Sequence, residues 1–327
     1  VVVLDRSPFY AESGGQVGDK GMIGTFAVSD TRRHDGLILH AGKMGEGCLS
    51  VGDTVTASVD KKTRRSTMRH HTATHLLHAA LRKVLGTHVE QAGSLVQPRS
   101  LRFDFRHPKG MTAIELEKVV NLVNARILRN TRVEKEVKPI LEAKKEGAVA
   151  LFGEKYGDEV RVVSVGDFSK ELCGGTHCRR SGDIGAFWIL SERAVGAGIR
   201  RIEAVAGARA VALIRERERE LRAVAAALKT TPEEAPARAE ALAAIDGGLA
   251  PDLVVSDLMM PEMTGIEFRE ALRARHPALL DRFVFCSGSG NQRELGEYVS
   301  RENVKIYHKP IDHKEFKAFL ARFLAGA

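Results

Sequence analysis

The feature that most constrains the fold is a change of pattern near residues 230–250. Before it, turn-bounded apolar runs and helix patterns occur in blocks, which predicts an α+β domain with an antiparallel sheet. After it, apolar runs alternate with helix patterns, which predicts an α/β arrangement with a parallel sheet. Prolines at 232 and 236 interrupt a long helix pattern at the break. The chain is therefore divided into residues 1–206, a helix and linker at 207–237, and residues 238–327.

Within the first part, the pattern predicts strands at 100–105, 159–165, 184–192 and 199–207. One helix is expected from about Ser66 to Leu85, and another begins at Thr112, which has the capping-box spacing to Glu115. The helix pattern at 207–229 is followed by a short alanine-rich helix ending at Gly247. The second part predicts strands at 252–256, 282–287 and 304–308, and helices at 266–275, at 293–301 and at the end of the chain.

Charge is unevenly distributed over the 327 residues, which together carry a formal net charge of +8. Residues 231–327 contain 12 Lys+Arg and 15 Asp+Glu, so residues 1–230 have a net charge of +11. A basic first part favours a polyanionic partner, because Lys and Arg that neutralise phosphates contribute affinity without sequence readout. A solvated basic surface explains the same charge.

Cysteine content and hydropathy indicate the compartment. The chain has four cysteines, Cys48, Cys173, Cys178 and Cys286, only two of which are close in sequence. This argues against a disulfide framework and for a reducing cytoplasm, where cysteine is free to bind metal. The N-terminus lacks the pattern of a secretory signal, and no apolar run is long enough to span a membrane.

Two short motifs supply a set of candidate metal ligands. His71 and His75 lie four residues apart in a predicted helix, so both imidazoles project from one face. Cys173 and His177 flank a Gly-Gly-Thr turn, and together the four side chains form a nitrogen and sulfur set suited to tetrahedral zinc. Cys178 and His78 are rival ligands. A histidine pair alone is more often a surface or core feature.

The first part resembles the editing domain of alanyl-tRNA synthetase and, more distantly, its freestanding editing relatives. The resemblance covers about residues 1–229 and rests on four segments: PFYAESGGQVGD, MRHHTATHLLHAALRKVLGTHVEQAGSLV, ALFGEKYGDEVRVVSVGDFSKELCGGTHC and GIRRIEAVAG. It implies an α+β domain that hydrolyses the ester of tRNA(Ala) mischarged with serine or glycine. It also places the family's zinc motif on His71, His75, Cys173 and His177.

The resemblance further implies two pocket residues, Gln91 and Thr74. Four protein ligands would fill a tetrahedral zinc and leave no open position for an activated water. We therefore expect the metal to orient the aminoacyl group, with Gln91 positioning the water or the carbonyl and Thr74 hydrogen-bonding a serine hydroxyl. A site that pairs with a substrate hydroxyl rejects alanine. Without the family, a surface Gln and a back-bonded helix Thr are the favoured interpretations.

Further residues of the first part are candidates for contact with substrate. The Ser13–Gln16 turn is implied to lie near the pocket, although a glycine-rich turn by itself indicates only a loop. Basic residues near the motifs are candidates for contacting the tRNA end, and a solvated face explains them equally well: Arg64, Arg65, Arg69, Arg200 and Arg201.

The second part resembles a truncated response-regulator receiver domain, over about residues 238–327, which implies an incomplete α/β, flavodoxin-like remnant. Asp257 follows one apolar run, Ser287 ends the next and Lys309 follows the third, which matches that family's phosphoacceptor aspartate and the two residues that grip the phosphoryl group. The first strand and the acidic pair that help hold Mg²⁺ have no counterpart, and Ile306 stands at a usually aromatic position. Mg²⁺ binding and phosphotransfer are therefore not expected.

Three functional hypotheses follow. The first is zinc-dependent editing of mischarged tRNA(Ala), without aminoacylation, because no nucleotide-binding motif or ATP-using domain is seen. The second is a signalling protein whose receiver gates a nucleic-acid-binding domain. The third is a non-physiological junction of two gene fragments. The sequence leaves the oligomeric state open, but loss of the first receiver strands predicts an exposed strand edge and self-association.

Overall fold

The computed structural model describes residues 1–150, 156–246, 251–258, 264–288 and 298–325. Its contacts divide the chain into two compact units, Val1–Ile214 and Arg215–Ala327. The division falls inside a helix, α4 (Ala208–Ala227), whereas the sequence pattern places a boundary just before that helix. Among the described residues, no helix is both long and apolar enough to cross a membrane.

The first unit begins with a five-stranded antiparallel sheet in the order β1-β4-β3-β2-β5. Its core is a small apolar cluster around Phe9, Ile23, Phe26 and Val28. The strands are β1 (Val2–Val3), β2 (Gly21–Ile23), β3 (Phe26–His34), β4 (Leu37–Met44) and β5 (Ala57–Val59).

A second antiparallel sheet, in the order β11-β12-β7-β6, packs against helices α1 (Lys61–Leu85) and α2 (Ala113–Leu128). Leu76 and Leu77 of α1 are fully buried in the same apolar cluster as Phe103 and Phe105 of β7. This cluster is the main core of the unit. The strands are β6 (Gln91–Val96), β7 (Leu101–Arg106), β11 (Phe187–Gly196) and β12 (Ile199–Ala206).

A third antiparallel sheet, in the order β10-β9-β8, completes the unit and contacts α1 through β10. Its strands are β8 (Val133–Pro139), β9 (Glu159–Val165) and β10 (Ser169–Leu172), with helix α3 (Ile140–Lys145) beside β8 and β9. The four strands predicted in the first part correspond to β7, β9, β11 and β12. The expected antiparallel architecture is therefore present.

Both predicted helices of this unit have side-chain N-caps. Thr112 and Glu115 form the predicted capping box, with Thr112 Oγ1 accepting from the Glu115 backbone N–H. Helix α1 begins at Lys61, five residues before the expected Ser66. Asp60 caps it by accepting from the backbone N–H groups of Lys62 and Thr63 at 2.9 and 3.1 Å. The first turn is polar, so the apolar pattern did not reveal it.

The second unit contains a three-stranded parallel sheet in the order β13-β14-β15. Among the described residues, β13 is at the edge of this sheet, and Val255 in its middle is half exposed. Helix α5 precedes the sheet; the predicted helix at 293–301 lies largely outside the described residues. The elements are α5 (Ala235–Asp246), β13 (Val254–Asp257), α6 (Gly265–Arg275), β14 (Phe283–Ser287), β15 (Lys305–His308) and α7 (His313–Ala325).

Candidate metal centre and pocket

The structure brings the four predicted metal ligands together. His71 and His75 project from one face of α1, and Cys173 and His177 lie on the loop that follows β10. One ligand atom from each residue lies within 4.8 Å of every other. The three histidines are buried and Cys173 is half buried.

The spacing of these atoms fits a tetrahedral metal ion. Cys173 Sγ is 3.4 Å from His71 Nε2 and 3.2 Å from His177 Nε2. Zinc bonds of about 2.0–2.1 Å to nitrogen and about 2.3 Å to sulfur imply ligand separations of about 3.3–3.6 Å in a tetrahedron. The donor set and these two separations therefore fit zinc, and the four donor atoms, which lie within 4.8 Å of one another, would draw closer around an ion.

The electrostatics of the cluster favour a thiolate. Burial acts to raise the pKa of the Cys173 thiol, but the imidazoles of His71, His75 and His177 hold it well below its usual value. Burial and the His71 imidazole keep the pKa of His177 well below its ordinary range, so His177 is neutral. A thiolate and a neutral imidazole are the forms that bind metal.

Each histidine of the cluster has a polar neighbour at its other ring nitrogen. His71 Nδ1 is 2.7 Å from Gln16 Oε1, and His177 Nδ1 is 3.2 Å from Thr72 Oγ1. His75 Nδ1 lies 3.6 Å from Glu171 Oε2. Such partners set the orientation of metal-binding imidazoles.

Glu171 is a buried carboxylate next to the cluster. Burial acts to raise its pKa, but His75 and His78 hold it below its ordinary value, so Glu171 is ionised. Burial acts to lower the pKa of His75, but the negative charges of Glu171 and Cys173 outweigh burial and raise this pKa to about 9. A metal ion must therefore displace a proton from His75, as expected for a site in which binding and deprotonation are coupled.

The loop that carries Cys173 and His177 is held from both sides. Gly175 lies against His71, and a Cβ at this position would be 2.0 Å from His71 Cε1, so only glycine fits. Arg161 donates to the carbonyl oxygens of Cys173 and Gly175, and Lys135 Nζ donates to that of His177 at 3.2 Å. The ligand loop is thus held in place through its backbone carbonyl groups.

A pocket opens beside the cluster, and both predicted pocket residues line it. Gln91 is half buried, and its side chain has no hydrogen-bond partner among the described residues. Thr74 Oγ1 donates to the His70 carbonyl at 2.8 Å, which is the back-bonded arrangement, and it still has lone pairs to accept a bond. Tyr10, Ser13 and Gly14 form another part of the wall, as the Ser13–Gln16 turn suggested.

The two rival ligands lie outside the cluster. Cys178 is part of the main apolar core, and burial raises the pKa of its thiol to about 11. His78 Nδ1 is 3.1 Å from Glu171 Oε1, while its Nε2 is buried and has no hydrogen-bond partner among the described residues. Neither belongs to the group of side chains that share the metal position.

The five candidate tRNA-binding arginines differ in their surroundings. Arg200 pairs with Glu192 and Arg201 with Asp104, with nitrogen–oxygen distances of 2.5 and 2.7 Å. Arg64 pairs with buried Asp19, and Arg69 Nε donates to the Asp183 carbonyl at 2.9 Å. Arg65 is exposed and has no ion-pair partner among the described residues. Arg65 is therefore the freest of the five cations.

Three polar residues of the site were not singled out as functional by the sequence: Thr72, Glu171 and the side chain of Gln16. Glu171 and Cys173 are two residues apart, so they share one side of an extended chain, and this spacing was the available signal. The contact of Gln16 with His71 joins residues 55 positions apart and had no local signal.

In the second unit, the strand ends bring Asp257 and Lys309 into contact. Asp257 ends β13, Ser287 ends β14 and Lys309 follows β15. Lys309 Nζ is 2.5 Å from Asp257 Oδ2, and Ser287 Oγ donates to the Gly288 carbonyl at 2.7 Å. The three predicted positions thus all lie at the carboxyl-terminal ends of the parallel strands.

Family comparisons agree with both parts of this description. The model for class II (A) tRNA synthetases matches residues 1–63, and the model for the second additional domain of threonyl and alanyl tRNA synthetases matches residues 160–203. The model for the response regulator receiver domain matches residues 213–321. Separate parts of the chain are therefore similar to aminoacyl-tRNA synthetases and to receiver domains.

Individual relatives show which synthetase the chain is similar to. The chain is 52% identical over 279 residues to the alanine–tRNA ligase of Acidithiobacillus ferridurans, covering 84% of the chain and 31% of that enzyme. It is 54% identical over 243 residues to the alanine–tRNA ligase of Nitrosospira multiformis, covering 73% of the chain and 28% of the enzyme. These matches confirm the resemblance to alanyl-tRNA synthetase.

Two consequences follow from the coverage. The chain spans less than a third of the curated relatives it matches. The match to the Acidithiobacillus enzyme is longer than residues 1–229, so it extends across the change of pattern near residues 230–250. An unphysiological junction of two gene fragments is therefore not favoured.

Proposed function

We propose that residues 1–214 hydrolyse the ester bond of tRNA(Ala) mischarged with serine or glycine, without aminoacylation activity, in the cytoplasm. The observation that carries the proposal is the placement of Gln91 and Thr74 on the wall of a pocket that opens on the His71, His75, Cys173 and His177 cluster. The similarity to alanine–tRNA ligases supports the choice of tRNA(Ala).

Zinc bound by the four ligands would supply positive charge that orients the aminoacyl group. Because the four protein ligands would fill a tetrahedral site, the attacking water would be held by other groups. Gln91 has a side-chain amide with no protein partner among the described residues, so it can donate to the ester carbonyl or accept from water. The site therefore works by orientation and hydrogen bonding.

Selectivity for serine over alanine is assigned to Thr74, and hydrolysis of the glycine ester does not use this contact. Its hydroxyl hydrogen is donated to the His70 carbonyl, so toward the pocket Thr74 Oγ1 acts as an acceptor. A serine hydroxyl can donate to it, whereas the alanine methyl group cannot. Sites built to pair with a substrate hydroxyl discriminate strongly against analogues that lack it.

Replacing Gln91 by alanine is expected to lower hydrolysis of Ser-tRNA(Ala) by about 10²-fold or more, the effect of losing one positioned hydrogen-bonding group. Zinc content should not change, since Gln91 is not in the ligand group. Single-turnover deacylation and metal analysis of the same preparation test this. Gln97→Ala is the matched control, because Gln97 does not line the pocket. Unchanged deacylation by Gln91→Ala would remove its role.

Binding of tRNA is expected to weaken steeply with salt, because residues 1–230 carry a net charge of +11. The logarithm of affinity should fall with the logarithm of salt concentration at about 0.7–0.9 per phosphate contacted. Arg65→Ala should reduce that slope by about one contact, since Arg65 is exposed and has neither an ion pair nor a side-chain hydrogen bond among the described residues. Fluorescence anisotropy with labelled tRNA measures the salt dependence of wild type and of Arg65→Ala. An affinity that does not change with salt would indicate that the basic residues form a solvated surface and do not contact phosphates.

The second candidate function is receiver-controlled signalling. The contact between Asp257 and Lys309 and the receiver match over residues 213–321 favour it. Under this proposal, phosphorylation of Asp257 would regulate a nucleic-acid-binding first unit. The two candidates differ in what each requires: editing needs the metal cluster, and signalling needs a reactive Asp257.

A further inference from the structure

Gln16 is a buried amide that contacts both sources of metal ligands. It lies on the turn between β1 and β2, and its side chain has no solvent exposure. Its Oε1 is 2.7 Å from His71 Nδ1 on α1 and accepts from the Thr176 backbone N–H at 2.8 Å. Its Nε2 lies 2.9 Å from Thr176 Oγ1. Thr176 directly precedes the ligand His177.

These contacts fix the hydrogen positions at His71. A backbone N–H can only donate, so the Gln16 atom that faces Thr176 N is the amide oxygen. The same oxygen faces His71 Nδ1, which must therefore carry the proton. In a neutral imidazole this leaves the lone pair on Nε2, the nitrogen 3.4 Å from Cys173 Sγ. One amide oxygen thus presents the metal-binding nitrogen of His71.

The backbone of Gln16 is itself held in place. Gln16 and Ser13 exchange backbone hydrogen bonds across the turn, at 2.9 and 3.2 Å, and Gln16 forms a bridge with Val96 at the end of β6. Gly15 is packed so closely that a Cβ would be 2.5 Å from the Ser94 carbonyl oxygen. The Gln16 amide is therefore presented from a fixed turn.

We propose that Gln16 is a positioning residue of the metal centre, which sets the tautomer of His71 and ties α1 to the loop that carries Cys173 and His177. This proposal rests on the metal centre of the proposed function and not on its substrate. It also assigns a role to the segment that matches the class II (A) synthetase model, since Gln16 lies within residues 1–63. That segment contributes directly to the metal centre.

Loss of this amide is expected to weaken metal binding without removing a ligand. Gln16→Met keeps much of the side-chain volume but leaves Thr176 N–H and His71 Nδ1 without their acceptor, so His71 is free to change tautomer. Substitution of groups that orient metal ligands commonly costs 10–100-fold in affinity. Gln16→Glu keeps an acceptor for both donors and should bind zinc more tightly than Gln16→Met.

The experiment uses the full chain and compares wild type, Gln16→Met and Gln16→Glu, with Gln91→Met as the matched control that removes a neighbouring pocket amide. Zinc affinity is measured by competition with a chromophoric chelator, and the ligand geometry is followed in the absorption spectrum of the cobalt-substituted protein. We expect a 10–100-fold weaker zinc affinity and an altered cobalt spectrum for Gln16→Met and at least partial recovery in Gln16→Glu. Gln91→Met should keep the wild-type zinc affinity and cobalt spectrum, although its hydrolysis of Ser-tRNA(Ala) is expected to fall.

Wild-type affinity and spectrum in Gln16→Met would overturn the proposal, as would a wild-type chain that binds no zinc. An equal loss in Gln91→Met would also overturn it, by showing that any change in the pocket disturbs the metal. If Gln16→Met does not fold, Gln16→Asn shortens the side chain within the same chemistry and must show the same weakening. These readouts need no substrate, so the two proposals can fail separately. If Gln16→Met binds zinc more weakly than wild type while the wild-type chain hydrolyses no Ser-tRNA(Ala), the role of Gln16 is supported and the proposed function is rejected.

Discussion

Replacing Cys173 by alanine is expected to release zinc and to lower hydrolysis of Ser-tRNA(Ala) by at least about 100-fold. Cys173 supplies the thiolate of the cluster, within 3.4 Å of His71 and His177, so its loss leaves three imidazoles packed together without their anionic partner. Removing a direct ligand should cost more than the 10–100-fold typical of groups that only orient ligands. Metal analysis and single-turnover deacylation measure the two effects.

Zinc release should also lower thermal stability, because the cluster joins α1 to a loop about a hundred residues away along the chain. An ion present at about 1,000 times its dissociation constant contributes about 4 kcal/mol. For a unit of this size, that corresponds to roughly 8–16 °C in melting temperature. A chelator added to the wild-type chain should reproduce the loss.

The matched control for Cys173→Ala is Cys178→Ala. Cys178 is five residues further along the same loop, but it lies in the apolar core and remains a neutral thiol. Its replacement removes core volume and should cost stability while leaving zinc bound. If Cys178→Ala released zinc and Cys173→Ala retained it, the ligand set proposed here would be wrong. Full metal content and activity in Cys173→Ala would reject the metal centre altogether.

The metal ligands could be predicted because local geometry determines their grouping. Residues four apart on a helix lie on one face, so His71 and His75 had to project together once α1 formed. Cys173 and His177 are joined by a short turn, so they had to be near each other. No local rule brings the two pairs into contact; their combined donor chemistry predicted a shared zinc ion, and the family resemblance implied the same four residues.

The polar partners of those ligands could not be predicted in the same way. Gln16 reaches His71 and Thr176 only after the N-terminal segment packs against α1 and the ligand loop. The same limit applies to Arg201, whose partner Asp104 becomes a neighbour only through the register between β7 and β12. Contacts that depend on sheet register have no signature in a single sequence.

Differences in N-capping explain why the sequence predicts the start of α2 correctly and the start of α1 incorrectly. Thr112 and Glu115 form a sequence signature that is independent of apolar periodicity, so the start of α2 was predicted. The start of α1 was placed too late because its first turn, Lys61 to Arg64, carries no apolar residue. Asp60 is an N-cap without an acidic partner three residues later, and its signal was correspondingly weaker.

Asp257 is expected to remain unphosphorylated when the full chain is incubated with acetyl phosphate and Mg²⁺. Phosphoryl transfer to a carboxylate requires charge to neutralise the phosphoryl oxygens, which Mg²⁺ normally supplies when several carboxylates hold it. In the part of the chain that the structure describes, His71, His75, Cys173 and His177 form the only group of three or more metal-ligating side chains. Asp257 belongs to no such group there.

Lys309 does not replace that missing charge. Its ammonium is 2.5 Å from Asp257 Oδ2, and this hydrogen bond raises the pKa of Lys309, so the positive charge of Lys309 already neutralises the Asp257 carboxylate. An incoming phosphoryl group would bring additional negative charge that this single cation must share. We therefore expect intact-mass measurements to show the same background for wild type and Asp257→Asn, with a complete receiver protein labelled in parallel to verify the reagent. One phosphate per chain on wild type, lost in Asp257→Asn, would contradict this expectation and favour receiver-controlled signalling.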